Sequence, residues 1–251
     1  MSAILELKAV TKAYDQYKVV DAFDLTVEQG ELRCLLGPNG AGKTTTIDLI
    51  TGRQKSTSGK ILFNGREITG LREDKIAKRG IGRKFQVPAV FKDLTVRDNL
   101  RVALSQKTDP FANMLRIGRR EGRERLDEVV ELAGLQERLG ELGGNLSHGE
   151  TQWLEIGMVL TQNPKLLLMD EPTAGMTEQE TQKTSEIFNR LKGEHTLIVV
   201  EHDMAFVREI ADVITLMHLG RTLAEGPMHV VENDPRVKEV YLGSEGITDA
   251  A

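Results

Sequence analysis

The segment Gly37–Thr44 constrains this chain more than any other part of it. It reads G-P-N-G-A-G-K-T, follows an apolar run predicted as a strand from Glu31 to Leu36, and precedes a helix expected to open near Lys43. Glycines in such a loop let backbone N–H groups converge on phosphate oxygens, and the helix N-terminus adds a favourable dipole. The pattern therefore predicts a nucleoside triphosphate site, a feature shared by kinases, GTPases and motor ATPases.

Two side chains of this phosphate loop, defined as residues 37–44, have distinct predicted tasks. Lys43 is expected to reach the β- and γ-phosphates, and Thr44 to offer its hydroxyl to Mg²⁺. The alternative is a glycine-rich turn beside a surface lysine, which leaves the agreement of strand, loop, lysine and hydroxyl unexplained. The predicted ATP-binding residues of this segment are Gly37, Pro38, Asn39, Gly40, Ala41, Gly42, Lys43, Thr44 and Thr45.

Acidic and imidazole side chains directly follow two later apolar runs that are predicted as strands. Asp170 and Glu171 follow Leu166–Met169, and His202 comes just after the run 197–200. Open α/β sheets bind ligands at the carboxyl ends of their strands. We expect Asp170 to hold Mg²⁺, Glu171 to polarise the attacking water, and His202 to contact the γ-phosphate. A polar strand cap and an ordinary surface or core histidine are the alternatives.

The order of predicted elements indicates an α/β fold. Short strands dominate the N-terminal part, with a tight hairpin turn at Asn64-Gly65. Helical periodicity replaces them from about 95 to 160, and buried strands alternate with helices again after 165. Such alternation implies a mainly parallel sheet covered on both faces, with a helical insertion in the middle of the chain.

Composition excludes several classes of protein. The chain has 251 residues, a formal charge of −5 and 4% aromatic residues, which argues against a nucleic-acid partner. No uninterrupted apolar run exceeds four residues, so neither a membrane span nor a secretory signal is expected and the chain is predicted to be cytoplasmic. The single cysteine, Cys34, allows no intrachain disulfide.

A further segment, Leu146–Glu150, precedes a helix that carries Trp153, Ile156 and Leu160 on one face. Ser147 and Glu150 have the spacing of a capping box, which many helices share, and an exposed capped N-terminus is also an anion site. Ser147 lies 23 residues before Asp170, and this position in the chain favours the functional interpretation. We call residues 146–150 the signature segment.

Taken together, these motifs resemble the ABC ATPase family over nearly the whole chain. The phosphate loop, Gln86 at the end of the run 82–86, the signature segment, the Asp170-Glu171 pair and His202 occur in the order and at the spacing of that family. The resemblance implies a phosphate-loop NTPase fold with a mainly parallel sheet, an N-terminal antiparallel β portion and an inserted helical subdomain. The implied domains are a RecA-like nucleotide-binding core (1–86 and 161–225), a helical subdomain (87–160) and a C-terminal helical extension and tail (226–251).

The resemblance also implies further site residues and partners. Tyr14 matches the aromatic residue that stacks on adenine, and Gln86 matches the one that senses the γ-phosphate and contacts Mg²⁺. Family members form homo- or heterodimers that sandwich two ATP molecules and act on two transmembrane permease subunits, with an external solute-binding protein as an indirect partner. The chain would then be held at the inner face of the cell membrane. The residues implied to face the partner's ATP are Ser147, His148, Gly149 and Glu150.

Within the family, the chain is most similar to the branched-chain amino acid-type importers, and especially to their urea-transport ATPases. The runs 146–158, 171–177, 200–204 and 233–243 carry this similarity. Urea is therefore the expected solute, with branched-chain amino acids or short amides as alternatives and a soluble, non-transport ABC ATPase as a more distant one.

Three residues depart from the general family pattern. His148 replaces the first glycine of the common signature, Glu150 replaces its glutamine, and Thr177 stands where the dimer-facing loop normally ends in aspartate. The histidine is typical of the urea-type group. Glu150 is expected to place a negative charge near the partner's triphosphate and weaken its binding, and Thr177 to alter coupling between the two ATP sites.

Overall fold

The computed structural model describes residues 2–84, 90–105 and 120–245. Two sheets and a set of helices make up this part of the chain. The strands are β1 (Ala3–Tyr14), β2 (Tyr17–Glu28), β3 (Leu32–Leu36), β4 (Ser58–Phe63), β5 (Arg66–Glu67), β6 (Ile81–Arg83), β7 (Leu166–Asp170), β8 (Thr196–Val200), β9 (Val213–His218) and β10 (Arg221–Gly226).

The α-helices lie between and after these strands. They are α1 (Lys43–Thr51), α2 (Glu73–Ala77), α3 (Val96–Leu104), α4 (Arg120–Leu132), α5 (His148–Leu160), α6 (Glu178–Leu191), α7 (Met204–Ile210), α8 (Met228–Val231) and α9 (Pro235–Glu245). Two 3₁₀ turns, Gln136–Arg138 and Gly143–Asn145, lie between α4 and α5.

The N-terminal strands form an antiparallel sheet in the order β2-β1-β4-β5. Asn64 and Gly65 both have positive φ angles, 49° and 68°, and make the tight turn between β4 and β5, where Phe63 pairs with Arg66. This is the hairpin that the dipeptide predicts, because a two-residue turn of this kind needs positive φ at both positions.

The second sheet has the order β10-β9-β3-β8-β7-β6. Strands β9, β3, β8, β7 and β6 are parallel to their neighbours, and β10 pairs antiparallel with β9 at the edge. The α/β fold with a mainly parallel sheet and an N-terminal antiparallel portion is therefore confirmed. The sequence analysis missed β10 (Arg221–Gly226), where one residue of six is buried and the apolar pattern is weak.

Alternate residues of the central strands face two separate cores. Along β7, Leu166 and Leu168 pack in the core that contains the antiparallel sheet and α1, whereas Leu167 and Met169 pack in the core that contains α4 to α7. Successive side chains of a strand point to opposite faces, so a sheet buried on both faces shows no polar alternation. This explains why the run Leu166–Met169 is continuously apolar.

The helical segment packs on one of these cores. Val129, Val130 and Ala133 of the predicted α4 periodicity are buried, and Leu126 is partly buried against them. Trp153, Ile156 and Leu160 bury one face of α5, and the Trp153 indole donates a hydrogen bond of 2.9 Å to the Thr184 hydroxyl of α6. The signature segment is thereby positioned by buried contacts between α5 and α6.

Two further expectations concern Gln86 and membrane-spanning helices. Strand β6 covers Ile81–Arg83, and Gln86, which ends the run 82–86 named in the sequence analysis, lies outside the described residues. Among the described residues, no helix combines the length and the apolar composition needed to cross a bilayer.

Candidate active site

The phosphate loop runs from the end of β3 to the start of α1. Gly37, Gly40 and Gly42 have φ angles of 145°, 81° and 102°, which L-residues rarely adopt. A Cβ on Gly37 would collide with the carbonyl oxygen of Met217 in β9, and one on Gly42 would lie 2.6 Å from the carbonyl oxygen of Val19. Only glycine therefore fits at positions 37 and 42.

Lys43 folds back over this loop. Its ammonium donates hydrogen bonds to the carbonyl oxygens of Gly37, at 2.5 Å, and Pro38, at 3.1 Å. Burial lowers the pKa of Lys43, while the nearby carboxylates of Glu171 and Asp170 oppose that shift. The ammonium is thus held at the centre of the loop, where it can interact with phosphate oxygens.

Asp170, the last residue of β7, lies beside the start of α1. Its carboxylate accepts a hydrogen bond from the Thr44 hydroxyl, and the Arg83 guanidinium is close enough to stabilise its charge. Burial nevertheless raises the pKa of Asp170, because Thr44 and Arg83 only partly offset the loss of solvent. Arg83 itself forms a buried 2.5 Å ion pair with Asp48 of α1.

The Thr44 hydroxyl and the Asp170 carboxylate are the donor set that fits Mg²⁺. Mg²⁺ takes oxygen ligands and usually keeps several waters while binding one or two protein groups and substrate phosphates. In residues 2–84, 90–105 and 120–245, no group of three or more histidine, cysteine, aspartate or glutamate side chains could hold a metal ion. This small donor set suits an ion that arrives with a nucleotide.

Glu171 and His202 meet at the same sheet edge. The His202 Nδ1 atom lies 3.7 Å from a carboxylate oxygen of Glu171, and both side chains are partly exposed. Glu171 has a φ of 48°, an uncommon value for a residue other than glycine, and its N–H donates to the Val200 carbonyl at the end of β8. Backbone strain of this kind is frequent at functional sites.

Glu201 is a site residue that the sequence analysis missed. Its carboxylate is buried and accepts hydrogen bonds from the Thr173 hydroxyl, at 2.5 Å, and from the backbone N–H groups of Thr173 and His202. It therefore ties the turn after Glu171 to the segment that carries His202. Its position directly before His202 at a strand end was the signal available in the sequence.

The other predicted nucleotide-binding residues differ in their exposure. Pro38 is half-buried, Asn39 and Gly40 are exposed, Ala41 is buried, and Thr45 is partly buried in α1. Tyr14, 49% exposed, ends β1 opposite Tyr17 across a hairpin, and the Lys12 ammonium lies 4.7 Å from the centre of its ring. The phenol of Tyr14 also donates a hydrogen bond to Gln54, so its orientation is fixed.

The signature segment begins α5 with the predicted capping box. Glu150 N–H donates to the Ser147 hydroxyl, and Ser147 N–H donates to the Glu150 carboxylate. Partial burial raises the pKa of Glu150, but the Ser147 N–H and Arg138 outweigh this and bring it below its usual value. Arg138 lies 2.7 Å from Glu150. The Glu150 charge, which the sequence analysis expects to lie near the partner's triphosphate, is therefore paired with Arg138 of the same chain.

His148 connects the signature segment to the turn that follows Glu171. Its Nε2 atom lies 2.9 Å from the Ala174 carbonyl oxygen, which can only accept, so Nε2 donates. After that turn, in the first turn of α6, Glu180 accepts hydrogen bonds from both the signature segment and Thr177, a set of contacts that the sequence analysis did not predict. The spacing T-x-x-E at 177–180 is a capping-box signal that was available.

A phosphate loop, a buried aspartate beside its threonine, and a following glutamate next to a histidine define the class of nucleoside triphosphatases. A family model for ABC transporters matches residues 20–174, and a model for the branched-chain amino acid ATP-binding cassette transporter matches residues 221–247. The chain therefore belongs to the ABC transporter family, in which it is an ATP-binding cassette that hydrolyses ATP to drive transport.

Curated relatives match along nearly the full length. The high-affinity branched-chain amino acid transport ATP-binding protein BraF of Pseudomonas aeruginosa is 34% identical, with 96% of this chain and 98% of that protein covered. The lipopolysaccharide export system ATP-binding protein LptB of Haemophilus influenzae is also 34% identical, with 97% and 98% covered. Identity over the whole chain thus does not by itself separate import from export.

Solved structures of cassettes superpose closely on this one. The ADP conformation of an ATP-binding cassette of an ABC transporter has a TM-score of 0.85 at 30% identity, with 97% of this chain and 100% of that chain covered. A dimeric post-hydrolysis cassette bound to ADP and phosphate has a TM-score of 0.72 at 25% identity, with 89% and 98% covered. ABC ATPases of this kind dimerise and work with transmembrane permease subunits.

Gly37 and Gly40 are predicted to differ in their tolerance of a side chain. We expect Gly37→Ala to lower the free energy of unfolding by about 2–5 kcal/mol, because it adds a backbone collision to an unfavourable φ. Gly40→Ala, whose Cβ meets no atom within 4 Å, should cost only about 1–2 kcal/mol of backbone strain. Urea unfolding measures both. Equal losses would show that the contact with Met217 does not matter.

The raised pKa of Asp170 gives a second prediction. The ionised carboxylate is disfavoured in the folded chain, so it reduces stability at neutral pH, and this cost disappears as the pH falls through the folded-state pKa. Without nucleotide, Asp170→Asn should raise Tm by a few degrees at neutral pH, since about 1 kcal/mol corresponds to roughly 2–4 °C. The gain should shrink in acid.

Scanning calorimetry at the two pH values measures this effect. Asp15→Asn is the matched control, because Asp15 lies in an exposed turn at a φ of 53° that asparagine also tolerates. A lower Tm for Asp170→Asn at neutral pH would mean that the Asp170 charge stabilises the fold.

Proposed function

We propose that this chain is the ATP-hydrolysing subunit of an importer of the branched-chain amino acid type, cytoplasmic and bound to permease subunits at the inner face of the membrane. The observation that supports ATP hydrolysis is that Lys43, Asp170 and Glu171 lie close enough to interact at one sheet edge. The match of residues 221–247 to the branched-chain amino acid cassette model favours import over the export function named for LptB.

The proposed reaction uses the residues of this edge in distinct roles. Backbone N–H groups of the phosphate loop and the Lys43 ammonium bind the β- and γ-phosphates, and Tyr14 stacks on the adenine. Thr44 and Asp170 would hold Mg²⁺, and the chemistry that the ion would supply is neutralisation of charge on the phosphates. Gln86, which lies outside the described residues, is a proposed contributor to the metal and γ-phosphate contacts.

Glu171 is the proposed catalytic carboxylate. It orients and polarises a water for attack on the γ-phosphate, and its place one residue after Asp170 aims it at the terminal phosphate rather than at the metal. His202, 3.7 Å from Glu171, contacts the same phosphate group and holds its position through the buried Glu201. A catalytic role for Glu171 is thus supported by its neighbours as much as by its own chemistry.

In the proposed dimer, the signature segment acts on the nucleotide of the other subunit. Ser147 and Gly149 offer a hydroxyl and a backbone N–H at the N-terminus of the 13-residue helix α5, a site that favours anions. His148 and Glu150 flank these donors. Dimerisation of this chain with itself or with a second ATPase, and closure on ATP binding, would move the permease subunits.

Branched-chain amino acids are the solute that the relatives favour, and urea is the second candidate. The similarity to BraF and the match to the C-terminal family model support branched-chain amino acids. The runs 146–158 and 233–243, including His148, resemble the urea-transport group and support urea. Because solute passes through other subunits, the cassette itself makes no contact with it in this proposal.

Glu171→Gln tests the catalytic assignment. The amide keeps the volume of the side chain but cannot accept a proton, so we expect ATP binding within about twofold of the parent chain and ATP hydrolysis reduced by about 10²-fold or more. Nucleotide titration and steady-state phosphate release measure the two quantities. Glu194→Gln, at an exposed loop position, is the control and should leave both unchanged. Normal turnover by Glu171→Gln would refute the assignment.

Deletion of the gene distinguishes the two solutes. Uptake of labelled leucine should fall to background in the deletion strain while urea uptake is retained, if branched-chain amino acids are the cargo. The reverse pattern would identify urea. Complementation with the parent chain, but not with the Glu171→Gln variant, should restore the affected uptake, which links the loss to ATP hydrolysis. Unchanged uptake of both solutes would contradict the importer proposal for these cargoes.

A further inference from the structure

The carboxylate of Glu180 links the N-termini of two helices. One oxygen accepts hydrogen bonds from the Ser147 hydroxyl, at 2.9 Å, and from the Gly149 N–H, at 3.1 Å. The other oxygen accepts from the N–H and the hydroxyl of Thr177, both at 3.0 Å. Glu180 thus completes the capping box of α6 and at the same time occupies the start of α5.

These contacts favour the charged form of the side chain. The Thr177 N–H, followed by Ser147, the Thr177 hydroxyl and Gly149, lowers the pKa of Glu180, although partial burial opposes the shift. The carboxylate is therefore an anion at neutral pH. Glu180 is partly buried and Ser147 is exposed, so solvent and other molecules can reach the Ser147 hydroxyl, whereas Gly149 is buried.

The start of α5 does not need Glu180 for its own capping. The Ser147 hydroxyl already accepts from the Glu150 N–H, and the Glu150 carboxylate accepts from the Ser147 N–H. Glu180 accepts from two other groups, the Ser147 hydroxyl and the Gly149 N–H. A Cβ on Gly149 would lie 2.5 Å from the Glu180 oxygen, so glycine at this position is what admits an anion so closely.

We propose that Glu180 is an internal anion that occupies the phosphate-binding donors of the signature segment and leaves them when the partner's nucleotide binds. The inference rests on the proposed function, in which Ser147 and Gly149 act on ATP held by the other subunit. Two anions cannot share the same hydroxyl and N–H, and their charges repel at this distance. Dimer formation therefore includes the displacement of Glu180.

This displacement would change how the turn after the proposed catalytic carboxylate, Glu171, is held in the same chain. Glu180 lies nine residues after Glu171, on the first turn of the helix that begins at the end of the connecting turn. The turn is also held by Thr173 bonded to Glu201 and by Ala174 bonded to His148. Release of Glu180 removes its hydrogen bonds to Ser147 and Gly149, so one of the links between the signature segment and the start of α6 is lost. Binding at the signature segment is thereby connected to the turn after Glu171.

The test uses ATP-dependent dimerisation in a hydrolysis-deficient background. The parent is the Glu171→Gln chain, and the variant adds Glu180→Gln, which keeps the side-chain volume but brings at most one acceptor oxygen. Sedimentation velocity with ATP and Mg²⁺ should give a dimer Kd about tenfold lower for the double variant, a size typical of coupling between sites. Glu178→Gln in the same background is the matched control, since Glu178 is an exposed residue of the same helical turn.

A second variant separates loss of charge from loss of geometry. Glu180→Asp keeps the carboxylate but shortens the side chain by one methylene, so it should loosen the bonds to Ser147 and Gly149 and give an intermediate Kd. Thermal unfolding of the nucleotide-free chains measures the structural role of Glu180. A loss of stability is expected in the Glu180 variants, and the proposal requires the dimer to tighten in spite of it.

The outcomes separate this inference from the proposed function. A dimer no tighter in the double variant than in the Glu171→Gln parent, whether both associate weakly or neither associates, overturns the role of Glu180 while leaving the nucleotide site in place. Failure of the Glu171→Gln parent to bind ATP in a titration would instead contradict the proposed function. Tightening by Glu178→Gln to the same extent would show that any loss of charge suffices, which also overturns the inference.

Discussion

The structure depends on β3, β8 and β7 lying side by side in one parallel sheet. Their registers pair Leu35 with Val200 and Asp170 with Val200, so the three strands end at the same level. The phosphate loop comes directly after β3, the Glu201-His202 pair after β8, and Glu171 after β7. Segments more than 100 residues apart in the chain become one site because parallel strands present their carboxyl ends at one edge.

Charge at this edge is only partly balanced by the chain itself. Burial lowers the pKa of Lys43 and raises that of Asp170, which means that both charged forms lose solvation that their protein partners do not fully replace. In the proposed complex, a triphosphate would supply negative charge for the lysine, and a divalent cation would supply positive charge for the aspartate. The same imbalance that reduces stability of the isolated chain therefore favours the metal-bound nucleotide.

Local sequence patterns predicted much of the fold, whereas contacts between distant segments were harder to predict. The hairpin at Asn64-Gly65 and the capping box at Ser147 depend on neighbouring residues, and the structure has both. Strand β10 was missed because packing against β9, rather than an apolar pattern, defines this exposed edge. Glu201 was assigned no role, because a buried acid at a strand end is interpretable only when its acceptors are matched with the donors of Thr173, 28 residues away.

The unusual residues of the signature segment are best understood as a set. The imidazole of His148 is a side-chain donor that a glycine lacks, and its Nε2 atom donates to the Ala174 carbonyl. The signature segment therefore holds the turn after Glu171 directly. Thr177 caps α6 and orients Glu180 toward that segment. With Arg138 neutralising Glu150, the charge left at the start of α5 is that of Glu180, which belongs to a side chain able to move by rotation about its own bonds. His148 and Thr177 thus both act on the stretch between Glu171 and α6, one through Ala174 and the other through Glu180.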